Sequence, residues 1–242
     1  MTKKALNQNS KYTQELIDII EPDFIFSNKP INRFQNQNDL NDLNDLKKDD
    51  KKEKINNLKN KIFSIQNCKI KDGSKELILG DGNLDSPIMI IGGAPGYEEI
   101  KSGLTFQGES GVLLKKMLKA INIEIKNTYK SYVTNFRPPE DRKPNSQEIK
   151  RYSVFMKEHI SIINPKILIL LGSTAMEAIT SSNAKVSDAR GIWKEIILKD
   201  NTIPYIITFS PSYLLKFPDY KKYSWEDLKR IRQKIKSLNI KI

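Results

Sequence analysis

Four short, largely apolar runs divide the chain from residue 88 onward. They lie at residues 88–91, 132–134, 166–171 and 203–208, and a glycine, proline, serine or asparagine follows closely after each of them. Short apolar runs of this kind are typical of strands that are buried on both faces, as in a parallel sheet. We therefore predict four main strands, each ending in a polar or glycine-rich loop.

Between these runs the apolar positions repeat at helical spacing. Residues 111–121 show this spacing, and a longer helix is predicted from Asn145 to about residue 163, where Glu148 completes a capping box on Asn145. Further helices are predicted at residues 174–179, 213–216 and 225–238, and a β pair around residues 193–198. Because strands alternate with helices, the pattern predicts a parallel sheet covered on both faces.

The first third of the chain has a weaker pattern. A short helix is predicted over residues 12–20, and residues 35–54 are a low-complexity segment in which Leu40, Leu43 and Leu46 recur among Asn and Asp. These leucines are too sparse to form a core, so we predict a disordered linker, with a helix resuming from Lys54 to about residue 63. The predicted parts are an N-terminal extension at 1–34, the linker at 35–54 and one folded domain at 55–242. Within that domain, residues 77–79 predict a further strand, which the sequence GDGN ends in a turn.

Composition limits the disulfide bonds, metal sites and cellular locations that we expect for the protein. One cysteine, Cys68, and one histidine, His159, among 242 residues exclude an intramolecular disulfide and disfavour a zinc site. No apolar run is long enough to cross a membrane, and the first residues lack the apolar segment of a secretory signal. We therefore expect a cytoplasmic protein with no metal site and no membrane partner.

The net charge is +12, and residues 81–242 carry nine of these positive charges. A basic domain favours a polyanionic partner such as nucleic acid. A genome rich in A and T would also raise the content of Lys, Asn and Ile. Charge alone therefore leaves both explanations open.

The loops after the four strands carry the candidate chemistry. They are the glycine-rich loop at residues 92–96, the segment from Asn135 into RPP, the pair Gly172-Ser173, and the triplet Ser210-Pro211-Ser212. The carboxyl ends of parallel strands meet at one sheet edge, where α/β proteins bind ligands. The sequence therefore predicts one cleft lined by all four loops. The glycine-rich loop fits neither a P-loop nor a dinucleotide-binding loop, and a purely structural turn stays open as its alternative.

The order and spacing of these motifs resemble the family 4 uracil-DNA glycosylases over roughly residues 63–238. The matching pieces are GxAPG at the first loop, G-x-x-F-x-G-x-x-G at 103–111, TN with the following RPP and R-x-P, PKILILLG at 165–172, RG at 190–191, T-x-x-P-S-Y-L-L-K at 208–216 and W-x-D-L at 225–228. The extension with PINRF also resembles longer bacterial members. The resemblance implies a three-layer α/β/α sandwich around a four-stranded parallel sheet. It also implies hydrolysis of the N-glycosidic bond of deoxyuridine in DNA, as in base excision repair.

The resemblance also implies roles for individual residues. Phe106 would stack on a uracil flipped out of DNA, and the amide of Asn135 would pair with uracil N3–H and O4. Catalytic roles fall to Ser210, Asn135 and Glu98, with Glu99 as an alternative to Glu98 for positioning water. The substrate-binding set is Gly92, Gly93, Ala94, Pro95, Gly96, Phe106, Asn135, Pro211 and Ser212, and the residues expected on the DNA backbone are Arg137, Arg142, Arg190 and Lys216.

The sequence departs from the family at several of these positions. Gly93 stands where the family has Glu, Ser210 where it has His, and Ile100 where it has an acidic residue, and three residues are missing between Asn135 and Arg137. Because Gly93 and Ser210 supply neither the carboxylate nor the histidine of the family, we expect glycosylase activity to be reduced or absent. Of the four cysteines that hold an iron–sulfur cluster in many members, only Cys68 has a counterpart. One thiolate cannot hold such a cluster, so we expect no cofactor.

Two functional classes stay open on this reasoning. One is a slow glycosylase that acts as a monomer on DNA containing uracil. The other is a catalytically degenerate protein of the same fold that binds DNA or a nucleotide. A structural or interaction protein without a nucleic-acid role is a third, weaker alternative, since it gives no reason to keep Phe106, Asn135 and Pro211-Ser212 together.

Overall fold

The computed structural model describes residues 37–72, 74, 76–198 and 201–240, and the chain divides into units at 1–43 and 44–242. The predicted helix at 12–20 and the PINRF segment lie outside the described residues. The second unit contains a six-stranded sheet of β1 (Gly80–Gly82), β2 (Ile88–Gly92), β3 (Tyr129–Tyr132), β4 (Ile167–Leu171), β5 (Trp193–Leu198) and β6 (Asn201–Thr208).

The strand order is β1-β3-β2-β4-β6-β5. The four inner strands β3, β2, β4 and β6 are parallel, and β1 and β5 pair antiparallel to them at the two edges. The predicted α/β class with a parallel core is confirmed. The sheet is wider than the four strands expected, because an antiparallel strand is added at each edge.

Helices cover both faces of this sheet. Their bounds are α1 Gln37–Phe63, α2 Lys69–Asp72, α3 Tyr97–Ser102, α4 Gly108–Lys119, α5 Ser146–Ile163, α6 Gly172–Thr180, α7 Val186–Ala189, α8 Pro211–Lys216 and α9 Lys221–Ser237. Residues of α1, α5 and α6 share one core with Met89 and Ile91 of β2. Residues of α4, α8 and α9 share the other core with Ile88 and Ile90. Alternate side chains of one buried strand thus enter opposite cores, which gives the three layers.

The low-complexity segment differs from its prediction as a disordered linker. Residues 37–54 belong to α1, which continues without a break to Phe63. Towards the end of the segment, Lys51 Nζ donates to the carbonyls of Leu84 at 3.1 Å and Ile163 at 3.2 Å and pairs with Asp85 at 2.9 Å. These polar contacts of Lys51 leave no apolar pattern in the sequence, so the prediction had no signal for them. The division into three domains stays a prediction.

Two predicted strands are shifted along the chain. β3 ends at Tyr132, and the predicted residues 133–134 instead leave the strand and donate to the carbonyls of Gly92 at 3.0 Å and Gly93 at 3.1 Å. β1 occupies the segment that was predicted as a turn, and it pairs with β3. The close pairing requires a glycine at residue 80, because a Cβ there would be 2.6 Å from the Lys130 carbonyl oxygen. Within the residues that the structure describes, no helix combines the length and apolar content needed to cross a membrane.

Candidate functional site

The loops after β2, β3, β4 and β6 meet at the carboxyl ends of the parallel strands, as their sequence predicts. A Cβ added to Gly93 would lie 3.1 Å from Thr174 Cβ, which joins the first loop to the third. Gly172, in the left-handed region with φ 86°, lies so close to the fourth loop that an added Cβ would be 3.2 Å from Ser210 Cβ. Thr134 N also donates to the Gly93 carbonyl at 3.1 Å, so each of the four loops contacts at least one of the others.

Phe106, the aromatic residue predicted to stack on the base, lies in the loop before α4. The ring is 8% exposed and lies 4.8 Å from the ring of Tyr132, centroid to centroid. Its backbone has φ 51°, and its N–H donates to Tyr132 Oη at 2.8 Å. The glycines around it are needed for space: a Cβ on Gly92 would lie 2.9 Å from Phe106 Cζ, and one on Gly111 would lie 1.8 Å from the Phe106 carbonyl oxygen. These contacts place the edge of the ring against the end of β2.

A buried carboxylate, Glu99, joins the glycine-rich loop to the Phe106 loop. Oε2 accepts from Gly96 N at 2.9 Å, while Oε1 accepts from Gln107 N at 2.9 Å and from Tyr132 Oη at 3.2 Å. Burial and the nearby Glu99 carboxylate raise the pKa of Tyr132, so its hydroxyl stays a proton donor at neutral pH. Our sequence reasoning considered Glu99 only for positioning water, and the structure shows a carboxylate occupied by three donors. Its spacing of three residues after Gly96 was the available signal, because a glutamate at that position of a helix can accept from the N–H of the residue that precedes the helix.

The predicted catalytic Glu98 lies beside Glu99 but is exposed. Its Cγ is 3.3 Å from the position of a Cβ on Gly108, so its stem passes along the start of α4. It is therefore a carboxylate with free solvent access at the rim of the site.

Asn135 lies in a different environment from the one predicted. Its side chain is 2% exposed, and Nδ2 donates to the carbonyls of Ile78 at 3.0 Å and Leu79 at 3.4 Å. Its own carbonyl accepts from Ile78 N at 2.8 Å. The structure thus shows Asn135 fastening the segment before β1 to the end of β3, and its contact with uracil stays a prediction.

Ser210 begins α8, next to Pro211 and Ser212. Its Oγ accepts from Tyr213 N at 3.3 Å and lies 3.1 Å from Ser212 Oγ. Pro211 is buried, whereas Ser210 is half-buried and Ser212 exposed. The two hydroxyls therefore form a small polar group at the rim of the site, beside Gly172.

Three of the four cations expected on DNA are already paired with carboxylates. Arg137 binds both oxygens of Asp141, Arg142 binds both oxygens of Glu148, and Arg190 binds both oxygens of Asp227. These pairs lower the pKa of Asp141 and Glu148, whereas burial raises that of Asp227. Lys216 is exposed, lies 5.8 Å from the centroid of the Phe217 ring, and has no ion pair in the part of the chain that the structure describes.

The pair between Arg190 and Asp227 is a structural link that our sequence reasoning missed. Asp227 is fully buried and also accepts from Thr208 Oγ1 at 2.7 Å. It therefore ties the RG motif and the end of β6 to α9. The motifs RG and W-x-D-L each contain one partner, but nothing in their spacing shows that the two meet.

The residues present do not fit the iron–sulfur cluster that the resemblance implies. Cys68 is the single cysteine of the sequence, and its buried Sγ lies 3.4 Å from Tyr152 Oη. Burial raises the pKa of that tyrosine, which keeps its hydroxyl protonated. No group of three or more His, Cys, Asp or Glu in the described ranges is arranged to hold a metal ion. The thiol packs in an apolar core rather than in a set of thiolate ligands.

Comparison with known proteins shows that the chain is similar to uracil-DNA glycosylases. Residues 79–229 match the family model described as the uracil DNA glycosylase superfamily. The type-4 uracil-DNA glycosylase of Thermotoga maritima is 31% identical over 172 residues, 70% of this chain and 88% of that protein. The type-4 enzyme of Sulfurisphaera tokodaii is 32% identical over 189 residues, or 75% and 84% of the two chains. That of Archaeoglobus fulgidus is 25% identical over 183 residues, or 74% and 92%.

Proposed function

Because this chain belongs to the uracil-DNA glycosylase superfamily, we propose that it hydrolyses the N-glycosidic bond of deoxyuridine in DNA at a reduced rate. The observation that carries the proposal is the buried aromatic Phe106 beside the glycine-rich loop, at the edge where all four motif loops meet. Relatives that are named type-4 uracil-DNA glycosylases, each covered over more than four-fifths of its length, support the same reaction.

The proposed reaction needs a flipped-out base and a stabilised leaving group. The target nucleotide leaves the DNA stack, and Phe106 supports the face of the uracil. Water adds to C1′ of the sugar while the bond from C1′ to uracil N1 breaks, and uracil leaves as an anion. The water loses one proton as it becomes the C1′ hydroxyl, and the uracil anion takes up one proton from solvent, which balances the reaction. Negative charge develops on uracil O2, which Ser210 Oγ and loop N–H groups stabilise as donors.

The reduced rate follows from two missing groups. Gly93 provides no carboxylate to orient water, and the hydroxyl of Ser210 is a weaker donor than a histidine. Glu99 does not substitute for the missing carboxylate, because three donors already occupy its oxygens. Glu98 is the exposed carboxylate that remains at the rim, and we assign water positioning to it.

A strand-cleavage assay tests this function. The purified full-length chain is incubated with a labelled single-stranded oligonucleotide containing one uracil, and abasic sites are then cleaved with alkali. We expect slow cleavage at uracil, none at a matched thymine, and loss of the product in the Phe106→Ala variant. Absence of product with excess folded protein over long incubation would contradict the proposal.

The alternative is a binding protein that has lost catalysis. Its supporting observation is the side chain of Asn135, whose Nδ2 donates to Ile78 and Leu79 instead of standing free for a base. On this alternative, an oligonucleotide with an abasic site binds more tightly than an unmodified one, yet uracil is never released. Measuring binding and cleavage on the same preparation separates the two functions.

A further inference from the structure

Three consecutive backbone N–H groups, those of residues 105–107, all donate to side chains. Thr105 N donates to Asp81 Oδ2, Phe106 N to Tyr132 Oη, and Gln107 N to Glu99 Oε1. Thr105 Oγ1 donates to the same Asp81 oxygen at 2.7 Å, and Thr105 is buried. The loop that carries Phe106 is thus fixed by three acceptors, one of which lies on the edge strand β1.

The backbone of Phe106 needs this support. Its φ of 51° lies in the left-handed region, which is unfavourable for a bulky side chain. Such a conformation persists only where the surrounding contacts hold it in place. Loss of one acceptor would therefore let the loop relax and move the ring, which now lies 4.8 Å from that of Tyr132.

β1 and β3 place two of these acceptors on one face of the sheet. Asp81 is paired with Lys130 in the antiparallel register, and side chains directly opposite each other share a face. Lys130 and Tyr132 are two residues apart on β3, so they share that face as well. Lys130, which is 8% exposed, pairs with Asp81 Oδ1 and so leaves Oδ2 to accept from Thr105.

We propose that Asp81 is a positioning residue for the reaction: it holds Thr105 and thereby keeps the ring of Phe106 in place to stack on the flipped-out uracil. Its carboxylate is engaged by Thr105 and Lys130, so Asp81 acts on the base only through Phe106. The inference rests on the proposed function, because it takes over the contact between Phe106 and uracil.

Fluorescence anisotropy with two single-stranded oligonucleotides tests this role on the full-length chain. One oligonucleotide carries a single uracil, the other has an abasic site at the same position, and binding is measured before any uracil is excised. We expect Asp81→Ala to weaken binding of the uracil oligonucleotide about tenfold, within the range for loss of one base–aromatic stack. Binding of the abasic oligonucleotide, which has no base to stack, should change less than about twofold. Equal weakening of both would show a merely structural role and overturn the inference.

Combination with Phe106→Ala shows whether Asp81 acts through that ring. Phe106→Ala alone should weaken binding of the uracil oligonucleotide about tenfold or more. The double variant should bind no more weakly than Phe106→Ala, because residues that act through one contact have non-additive effects. Effects that multiply would overturn the inference.

Lys130→Met is the matched control. It breaks the same ion pair but leaves both donors of Thr105 their acceptor, so it should weaken binding of the uracil oligonucleotide by about threefold at most. Hydrogen exchange gives a readout without DNA: the amides of residues 105–107 should exchange at least about tenfold faster in Asp81→Ala than in Lys130→Met. Equal exchange in the two variants would contradict the role of Asp81.

The outcomes separate this inference from the proposed function. If Phe106→Ala weakens uracil binding and Asp81→Ala does not, the inference is wrong while the proposed function stands. If neither variant weakens binding, Phe106 does not contact the base and both are wrong. Circular dichroism checks that each variant is folded. If Asp81→Ala does not fold, Thr105→Val replaces it, and loss of the hydroxyl bond to Asp81 should weaken uracil binding selectively by about threefold.

Discussion

At the scale of single residues, Glu99 is the side chain on which the shape of the site depends most directly. Its two carboxylate oxygens accept from Gly96 N, Gln107 N and Tyr132 Oη, so one side chain joins two loops and a strand. A carboxylate can accept several hydrogen bonds at once, whereas an amide offers only one acceptor oxygen. The geometry therefore requires a side chain with two acceptor oxygens here rather than its amide isostere.

We expect Glu99→Gln to destabilise the protein by about 1–3 kcal/mol, because at least one buried donor loses its acceptor. Chemical unfolding of the two proteins measures this difference. The matched control is Glu98→Gln at the adjacent exposed position, which should change stability by less than about 0.5 kcal/mol. Equal effects of the two changes would show that Glu99 does not hold the loops together.

Gly93 and Ser210 stand where the family resemblance implies a Glu and a His. We expect Gly93→Glu combined with Ser210→His to raise the rate of uracil excision about a hundredfold or more, by supplying a carboxylate for water and a donor for the leaving group. A Cβ at residue 93 would lie 3.1 Å from Thr174 Cβ, so adding Thr174→Ala should increase the gain further. Single-turnover kinetics measure the rate.

The control for this prediction is Gly93→Gln with Ser210→His, which has similar size but no carboxylate. Its rate of uracil excision should be well below that of the variant with Glu at residue 93. If both variants fold and neither accelerates excision, the shortened loop after Asn135 has moved the site away from the geometry that the reaction needs.

At the scale of elements, a buried polar contact joins β3 to α5. His159 Nε2 lies 2.9 Å from Tyr129 Oη, and burial lowers the pKa of the histidine to about 3. Its ring is held neutral in the folded protein, while in the unfolded chain it binds a proton below about pH 6.5. Stability is unaffected above that pH and falls as the pH drops below it, because the unfolded state then binds more protons.

We expect the free energy of unfolding to fall by up to about 1.4 kcal/mol per pH unit between roughly pH 6 and pH 4. His159 is the single histidine of the chain, so no other histidine contributes. Urea unfolding at a series of pH values measures this slope. The variant His159→Gln should flatten it in that interval, and an unchanged slope in the variant would assign the effect to carboxylates.

Elements with a strong apolar or capping pattern could be predicted from the sequence. The core strands β2, β4 and β6 and the capping box that starts α5 agree with their predictions, since local residues dictate each of them. The helix over residues 37–54, the strand at Gly80–Gly82 and the pairing of Arg190 with Asp227 could not be predicted in this way. Those features depend on contacts between distant segments, such as Lys51 with Ile163, which leave no periodic signal.

At the scale of the whole molecule, the net charge of +12 does not show which cations are free to meet DNA. Arg137, Arg142 and Arg190 each bind a carboxylate, whereas Lys216 stands exposed after the Ser210 loop. A phosphate contact releases counterions and steepens the salt dependence of binding, but an arginine that keeps its carboxylate adds nothing to that slope.

We expect the affinity for a single-stranded uracil oligonucleotide to fall steeply with salt, and Lys216→Gln to reduce the logarithmic slope by about 0.7, the value for one phosphate on a single strand. Arg142→Gln should leave the slope unchanged, because its guanidinium is bound to Glu148. Lys166→Gln is the matched control, because Lys166 directly precedes β4 at the end of the parallel strands opposite the site. This change should also leave the slope unchanged. Titrations at several salt concentrations measure each slope. A reduced slope for Arg142→Gln would contradict this expectation. It would mean that the ion pair with Glu148 opens when DNA binds and that Arg142 then contacts a phosphate.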